Sequence, residues 1–450
     1  MSDLLSYARE DVDHVSSEIG SPEWIVEKRT KAWKAFENLP MPTIRDEMWK
    51  YTDFSSINFK GTKPLSEPNF GLVEKFEDFP KEAISLLSDE AVHLEKNGGM
   101  CKPGLLIQHD SLTTFRDMDA ELSEKGVIFC GMGEAVTKYP DLLQEHFMEK
   151  LVPIGDGKFS SLNAALWSGG VFLYVPENVE IKMPFKTYNL MTDGGRAIFQ
   201  RSLIILERGA SATYIEQGRS EDYATDSFNS SVAEVVVKEG ASLNYITLQK
   251  WGNNVVDVST RRAIVKRDAT MNWVVGTLGG KVTKSFYDTL LSEQGASTTT
   301  KGFFVSSGTQ HHDFWGLLSH EAPHTTGNLL YKGVLTDSSR SVFRGLIKIA
   351  EEAQHTDSYL TNNNILLSDN ARADSVPTLE INANDVKASH GATTGHLDED
   401  ELFYLMSRGM TRGEAEKLII HGYFEPVLNS VDSEILREHL KAAIDSKLGV

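Results

Sequence analysis

A strand–turn–strand unit recurring through the middle of the chain constrains the fold more than any other feature. The segments "LIILERGASATY", "EVVVKEGASLNY", "AIVKRDATMNW", "TLLSEQGASTTT", "GVLTDSSRSVF" and "ILLSDNARADS" share one plan. Each has an apolar run, two or three polar residues, a small or turn residue, then a second strand. The residue after the turn falls at Val179, Ala210, Ala241, Ala269, Ala296, Arg340 and Ala371, at spacings of 31, 31, 28, 27, 44 and 31 residues. A period of this size marks a repeat architecture. A unit made only of strands and turns cannot bury its apolar face alone, so neighbouring units must stack. The pattern predicts a mainly β fold with a parallel β-helix (solenoid) core. At ~4.8 Å per stacked coil, about six or seven coils make a rod roughly 30 Å long. An antiparallel sandwich with regular strand spacing is the alternative on pattern alone.

Helical patterns flank this core. "GSPEWIVEKRTKAWKAFENLP" predicts a helix with Ser21 as N-cap and Pro22 at the first position, ended by Pro40. Trp24, Lys28, Lys31 and Ala32 fall at helical spacing, with Trp33 and Phe36 beside them. "LVEKFEDFPKEAISLLSDEA" and "AVTKYPDLLQEHFMEKLV" read as helices interrupted by proline, and "KGVIFC" as a short strand. After Gly395, Asp398 with Glu401 and Thr411 with Glu414 resemble capping boxes, and Gly409 is a favourable stop between two helices. "VDSEILREHLKAAIDSKL" makes a third helix. The expected division is a mainly helical region over 1–150, a β-helix core over 151–395 and a helical region over 396–450. The last helices suit a cap on the solenoid end, a partner surface, or both.

Charge and cysteine content exclude several functions. Of 450 residues, 45 are Lys or Arg and 64 are Asp or Glu, a net charge of −19. Phosphate contacts need clustered cations, so nucleic acid is excluded as a partner, and anionic membranes are disfavoured. "MSDLLSYAREDVDHV" lacks the basic start and apolar core of a signal peptide, and no apolar run has the ~18 residues of a membrane span. A cytoplasmic location is expected. The two cysteines, Cys101 and Cys130, have no CxxC partner and are expected to be buried filler.

Four features could carry chemistry. "GTLGGKVTK" (276–284) looks like a phosphate loop, but it lacks the required first glycine, a Ser/Thr after Lys281 and a following helix. It is expected to be a turn, so the chain binds no nucleotide. "HHDFWGLLSHEAPH" gathers His311, His312, Asp313, His320 and His324. Imidazoles and a carboxylate suit iron or zinc, yet Pro323 rules out a helix presenting His320 and His324 together. Its place in the 44-residue interval predicts a surface excursion, used either for metal or for an interface. Asp357, Asp369, Asp374 and Asp385 could serve a carbohydrate-active β-helix enzyme, but no spacing selects a pair. In "VKASHGATTGHLDEDELF", His390 falls where the last coil meets the helices, as a junction residue or a ligand. A free solenoid edge there suits a partner subunit.

Long ordered stretches carry a resemblance. "SVFRGLIKI", "YLTNNNILLSDNARADSVPTLEI", "NDVKASHGATTG" and "LDEDELFYLMSRGM…EAEKLIIHGYFEPV" resemble the SufB/SufD family of iron–sulfur cluster assembly. "PEWIVEKRTKAWKAFENLPMPTIRDEMWKYTDF" and "SLNAALWSGGVFLYVPENV" look like the same family, so the likeness runs from about residue 20 to 430. "WSGG", "TLQKWGNNV" and "GTQHHD" lean toward SufB; "TNNNILLSD" and "KASHGATTG" lean toward SufD. SufB-like scaffolds carry a sulfur-accepting cysteine on the strand where this chain has Asn362, and no cysteine follows Cys130. The resemblance therefore favours the SufD side, with a SufB-like homodimer as the alternative. It implies a non-enzymatic scaffold subunit that shares a transient iron–sulfur cluster with a SufB-like sister. His390 is the implied metal or cluster residue; Ala388 stands where some SufD sequences have a cysteine. A SufC-like ATPase is implied to dock around Leu397–Leu428, with Leu402, Phe403, Tyr404, Arg408 and Phe424 as candidate contacts.

Overall fold

The computed structural model describes residues 7–57, 59, 61–64, 72–73, 87, 103–431 and 433–449. Residues 74–86 and 88–91 of one expected helix, and Cys101, lie outside them. From Val171 onward, strands alternate between two sheets, each of ten strands. Val171–Val175, Arg196–Leu206, Ser227–Val237, Val255–Val265, Val282–Leu291, His311–His320, Arg340–Ile349 and Arg372–Ile381 stack in the first sheet. Phe185–Met191, Ser211–Ser220, Ser242–Lys250, Thr270–Thr277, Ser297–Ser306, Thr326–Leu335, Asp357–Leu366 and Lys387–His396 stack in the second. Neighbours within each stack are parallel and in continuous register, as between Val255–Val265 and Ser227–Val237. The expected parallel β-helix is the observed fold.

The turns explain the repeat. At one corner of successive coils the turn residue has positive φ: Gly209 at 68°, Gly240 at 64°, Asp268 at 54°, Gly295 at 74°, His324 at 59° and His355 at 59°. Glycine and Asp tolerate this conformation best. The two histidines break the glycine-like signature, and Thr325 and Thr356 follow where Ala210, Ala241, Ala269 and Ala296 stand elsewhere. The 44-residue interval therefore does not contain an excursion. It hides the turn at His324, and Arg340 begins a strand of the opposite sheet.

The core between the sheets is aromatic. Tyr214, Tyr245, Trp273 and Tyr287 follow one another with ring centroids 4.9, 4.9 and 5.5 Å apart. Phe304, Phe314, Tyr331 and Phe343 continue at 4.9, 5.3 and 5.1 Å. Tyr214, Tyr245 and Trp273 are in register on stacked coils, and from Tyr287 on the rings alternate between the two facing sheets, so large rings fill the interior.

Both sheets are also covered outside. Val232 and Val236 face the N-terminal elements, while Val235 and Val237 face the interior. Such two-sided burial explains why these strands read as continuous apolar runs. The covering N-terminal elements include the helices Arg9–Glu18, Glu23–Asn38 and Lys158–Leu166. Glu23–Asn38 begins with Pro22 as its N-cap and no side-chain capping bond, so Ser21 does not take the expected role. Its buried face is Ile25, Arg29, Ala32, Trp33 and Phe36. Arg29 donates to the Ala165 and Trp167 carbonyls at 2.9 and 2.7 Å.

The C-terminal helices are Glu399–Ser407, Arg412–Leu428 and Glu434–Leu448. The last two lie along the outer face of the second sheet. There Ile420, Phe424, Val427, Leu436 and Leu440 pack on Ile215, Ile246, Val274, Phe303 and Val334. They clad the side of the rod.

Candidate functional site

The last coil stands apart from the others. Most earlier strands are largely buried, whereas Arg372–Ile381 and Lys387–His396 are largely exposed or half-buried. Each has a strand neighbour on one side only among the described residues. His390 sits on this open coil, exposed and in register with Leu360 of the strand beneath. Asn362, two residues along that lower strand, is buried in register with Ala392. Its Nδ2 donates to the Tyr331 carbonyl at 3.3 Å, and its Oδ1 accepts from Asn364 Nδ2 at 2.9 Å. Asn362 is thus committed to hydrogen bonds inside the rod, while His390 faces solvent.

The histidines of the 311–324 segment do not join it. The His311–His320 strand lies within the first sheet, so the expected surface excursion is absent. His312 is fully buried, with Nδ1 paired to Ser306 Oγ at 2.8 Å and Nε2 to the Gly279 carbonyl at 3.1 Å. Burial holds its pKa down to about 3. His320 pairs through Nδ1 with Thr325 Oγ1 at 2.8 Å and through Nε2 with Ser358 Oγ at 3.1 Å. Burial holds it to about 4. His311 meets Thr52 Oγ1 at 3.0 Å and is likewise held to about 4 by burial. His324 is exposed at its turn and stacks on His355, centroids 4.8 Å apart; His355 Nδ1 lies 3.0 Å from Asp385 Oδ2. Among the described residues, no group of three or more His, Cys, Asp or Glu side chains is placed to hold a metal ion.

The false phosphate loop is a turn between Thr270–Thr277 and Val282–Leu291. Lys281 pairs with Asp226 at 2.9 Å and Lys284 with Asp313 at 2.8 Å. Asp374 is tied to Arg340 and Arg372 at 2.7 and 2.8 Å. These charges are committed within the fold.

The candidate docking residues divide in two. Asp398 caps the Glu399–Ser407 helix by accepting from the Asp400 and Glu401 amides, and Gly409 follows with φ of 97°. Thr411 and Glu414 form a full capping box for the next helix. On Glu399–Ser407 only Leu402 is buried; Phe403 is 73% and Tyr404 58% exposed. Arg408 stacks over the Tyr404 ring at 5.2 Å. Met406, Met410 and Leu418 are also exposed. Phe424 is fully buried, 5.7 Å from Phe303. Leu402 and Phe424 therefore build the helical region, while Phe403, Tyr404 and Arg408 are available to a partner.

Sequence reasoning missed the cluster beneath the N-terminal segment. Lys284, Asp313 and Arg344 point outward from the first sheet, yet all three are buried. Thr52 Oγ1 donates to Asp313 Oδ2 at 2.6 Å, and Arg344 donates to the Glu47 and Met48 carbonyls. Outward charges on a strand resemble a solvated face; only the "EMWKYTDF" segment hinted at a cover.

Among the described residues, no helix is long and apolar enough to cross a membrane. Residues 189–423 match the SufBD core domain of the SUF system for FeS cluster assembly, and residues 6–187 match the SufBD protein N-terminal region. An iron–sulfur cluster assembly SufBD family protein of Staphylococcus haemolyticus is 30% identical over 423 residues, covering 94% of this chain and 89% of that protein. The iron–sulfur cluster assembly protein SufB of Bacillus subtilis is 29% identical over 426 residues, covering 95% and 90%. The two matches divide the chain near the start of the stacked coils and together span nearly all of it, so the chain belongs to the SufBD family of the SUF iron–sulfur cluster assembly system.

Proposed function

We propose that the chain is a SufD-like scaffold subunit, acting in the cytoplasm with a SufB-like sister and a SufC-like ATPase and catalysing no reaction alone. The observation that carries this reading is the position of His390 on an uncovered last coil. Unpaired strand edges are templates for another chain. A sister strand added there would bring its own side chains beside His390. One imidazole cannot hold an iron–sulfur cluster, for which thiolates are the usual ligands. With Asn362 in the interior and no cysteine after Cys130, those thiolates belong to the sister. The cluster is cargo, shared transiently across the interface.

Phe403, Tyr404 and Arg408 supply the ATPase contact in this reading, while Phe424 anchors the helical region to the rod. Nucleotide-driven movement of the ATPase would pull on these helices. The packed rod transmits that strain to the last coil.

The similarity to Bacillus subtilis SufB favours a second reading, a SufB-like homodimer. It would place two copies of His390 at one interface and no core cysteine. His390→Ala tests the proposed role. The complex should still assemble, with cluster yield lowered several-fold; an unchanged yield in the assembled variant would remove His390 as a ligand.

A further inference from the structure

Beside the aromatic ladder, the interior of the rod turns polar. Asn189, Gln200, Glu216, Asn229, Asp257 and Arg261 surround a cavity with about 30 Å³ of room for water centres. Glu216 accepts from Arg261 Nη2 at 3.1 Å, from the Tyr245 hydroxyl at 2.5 Å and from Asn189 Nδ2 at 3.3 Å. Asp257 Oδ1 accepts from Asn229 Nδ2 at 2.7 Å.

These contacts fix both asparagine amides. A carboxylate needs a donor, so each Nδ2 must face its acid and each Oδ1 must face away. Among the described residues, Asn189 Oδ1, Asn229 Oδ1 and Gln200 Nε2 have no hydrogen-bond partner. The three side chains are 4%, 2% and 3% exposed. Buried polar atoms are almost always paired, so orphans lining one cavity point to a guest.

The orphans also define the guest. Two carbonyl oxygens need donors and one amide needs an acceptor. Water offers both. A metal cation would need more ligands, and among the described residues no group of three or more His, Cys, Asp or Glu is placed to hold one. An anion would face the two carbonyl oxygens and two carboxylates. An apolar molecule would satisfy none of the three. A water centre needs ~10–15 Å³, so the room suits about two.

We propose that this cavity is a built hydration site, holding about two ordered waters that complete the hydrogen bonding of Asn189, Gln200 and Asn229. Trp251, only 5% exposed, closes one wall. It packs so closely over Gly218 that a Cβ there would meet its ring at 2.6 Å. The site is independent of the partners and cluster proposed above.

A crystal structure of the full chain at high resolution tests it. Water peaks should lie roughly 2.7–3.2 Å from the two Oδ1 atoms and from Gln200 Nε2, and pressurised xenon should not enter. No peak at these atoms, an anomalous signal of a metal or halide, or bound xenon would each overturn the proposal. In Asn229→Leu crystals the water bound to that amide should be lost, and its retention would count against the site.

Discussion

Arg201 and Glu234 form an ion pair that is wholly excluded from solvent, with Nη2 2.7 Å from Oε1. Both groups stand on the outer side of the first sheet and reach into the N-terminal region. Glu234 accepts from the Met148 amide at 3.1 Å, and Arg201 donates to the Val152 carbonyl at 2.6 Å. The pair thus staples the N-terminal elements to the coils. Glu234→Ala would leave a buried guanidinium without its counter-charge, at a cost of about 3–5 kcal/mol. Equilibrium denaturation should show that loss; a change under ~1 kcal/mol would mean the site relaxes or hydrates.

Phe424 and Phe403 should behave oppositely. Phe424→Ala removes a buried ring from the contact with Phe303. It should cost about 3–5 kcal/mol locally. Hydrogen exchange should then rise across the Arg412–Leu428 and Glu434–Leu448 helices more than in the coils. Phe403→Ala and Tyr404→Ala change exposed rings, so stability should move by no more than ~0.5 kcal/mol. Their effect should appear as weakened ATPase binding, measured by calorimetry. Undiminished binding would move the docking surface elsewhere.

Acid should destabilise the fold through its buried histidines. Burial holds His109, His311 and His320 to about 4 and His312 to about 3. In the unfolded chain they titrate near ~6.5. Below that pH the unfolded state binds more protons, so their contribution is full above ~6.5 and is lost as pH falls toward the folded values. Each weighs up to ~1.4 kcal/mol per pH unit. Asp257, pushed up to about 6 by burial, works in the opposite direction between its ordinary ~3.9 and that value. Urea midpoints at about pH 7 and about pH 5 should differ less for His320→Asn than for the parent chain. An equal difference would show that His320 does not carry its share.

Cys130 should be chemically silent. It is buried, and burial pushes its thiol up to about 12. The thiolate is the reactive form. In a Cys101→Ala background, iodoacetamide should label Cys130 only after unfolding, and Cys130→Ala should leave cluster yield unchanged. Rapid labelling of the folded chain would reverse this view.

Much of the fold was legible because stacking writes itself into the sequence. The glycine or aspartate at a left-handed corner and the alanine after it repeat through four coils, at Gly209, Gly240, Asp268 and Gly295. His324-Thr325 and His355-Thr356 perform the same turns with different residues, so that series lost one coil. The cladding helices were less legible, since their docking depends on contacts far apart in sequence. "KGFFV" held a clue: Phe303 and Phe304 are adjacent, and each finds its own apolar face. His390 could be placed on the last coil because the strand pattern gives way to helical signals just after it. The separation of Phe424 from Phe403 could not, because both fall in amphipathic helices whose burial is decided by the rod beneath.

The most direct measurement is the mass of the assembly formed when this chain is co-expressed with its cognate SufB-like and SufC-like proteins, by size exclusion with light scattering. The proposed function predicts one stable complex containing all three, lost when the last coil is blocked by Gly391→Pro. A chain that remains alone, or pairs only with itself, would contradict it.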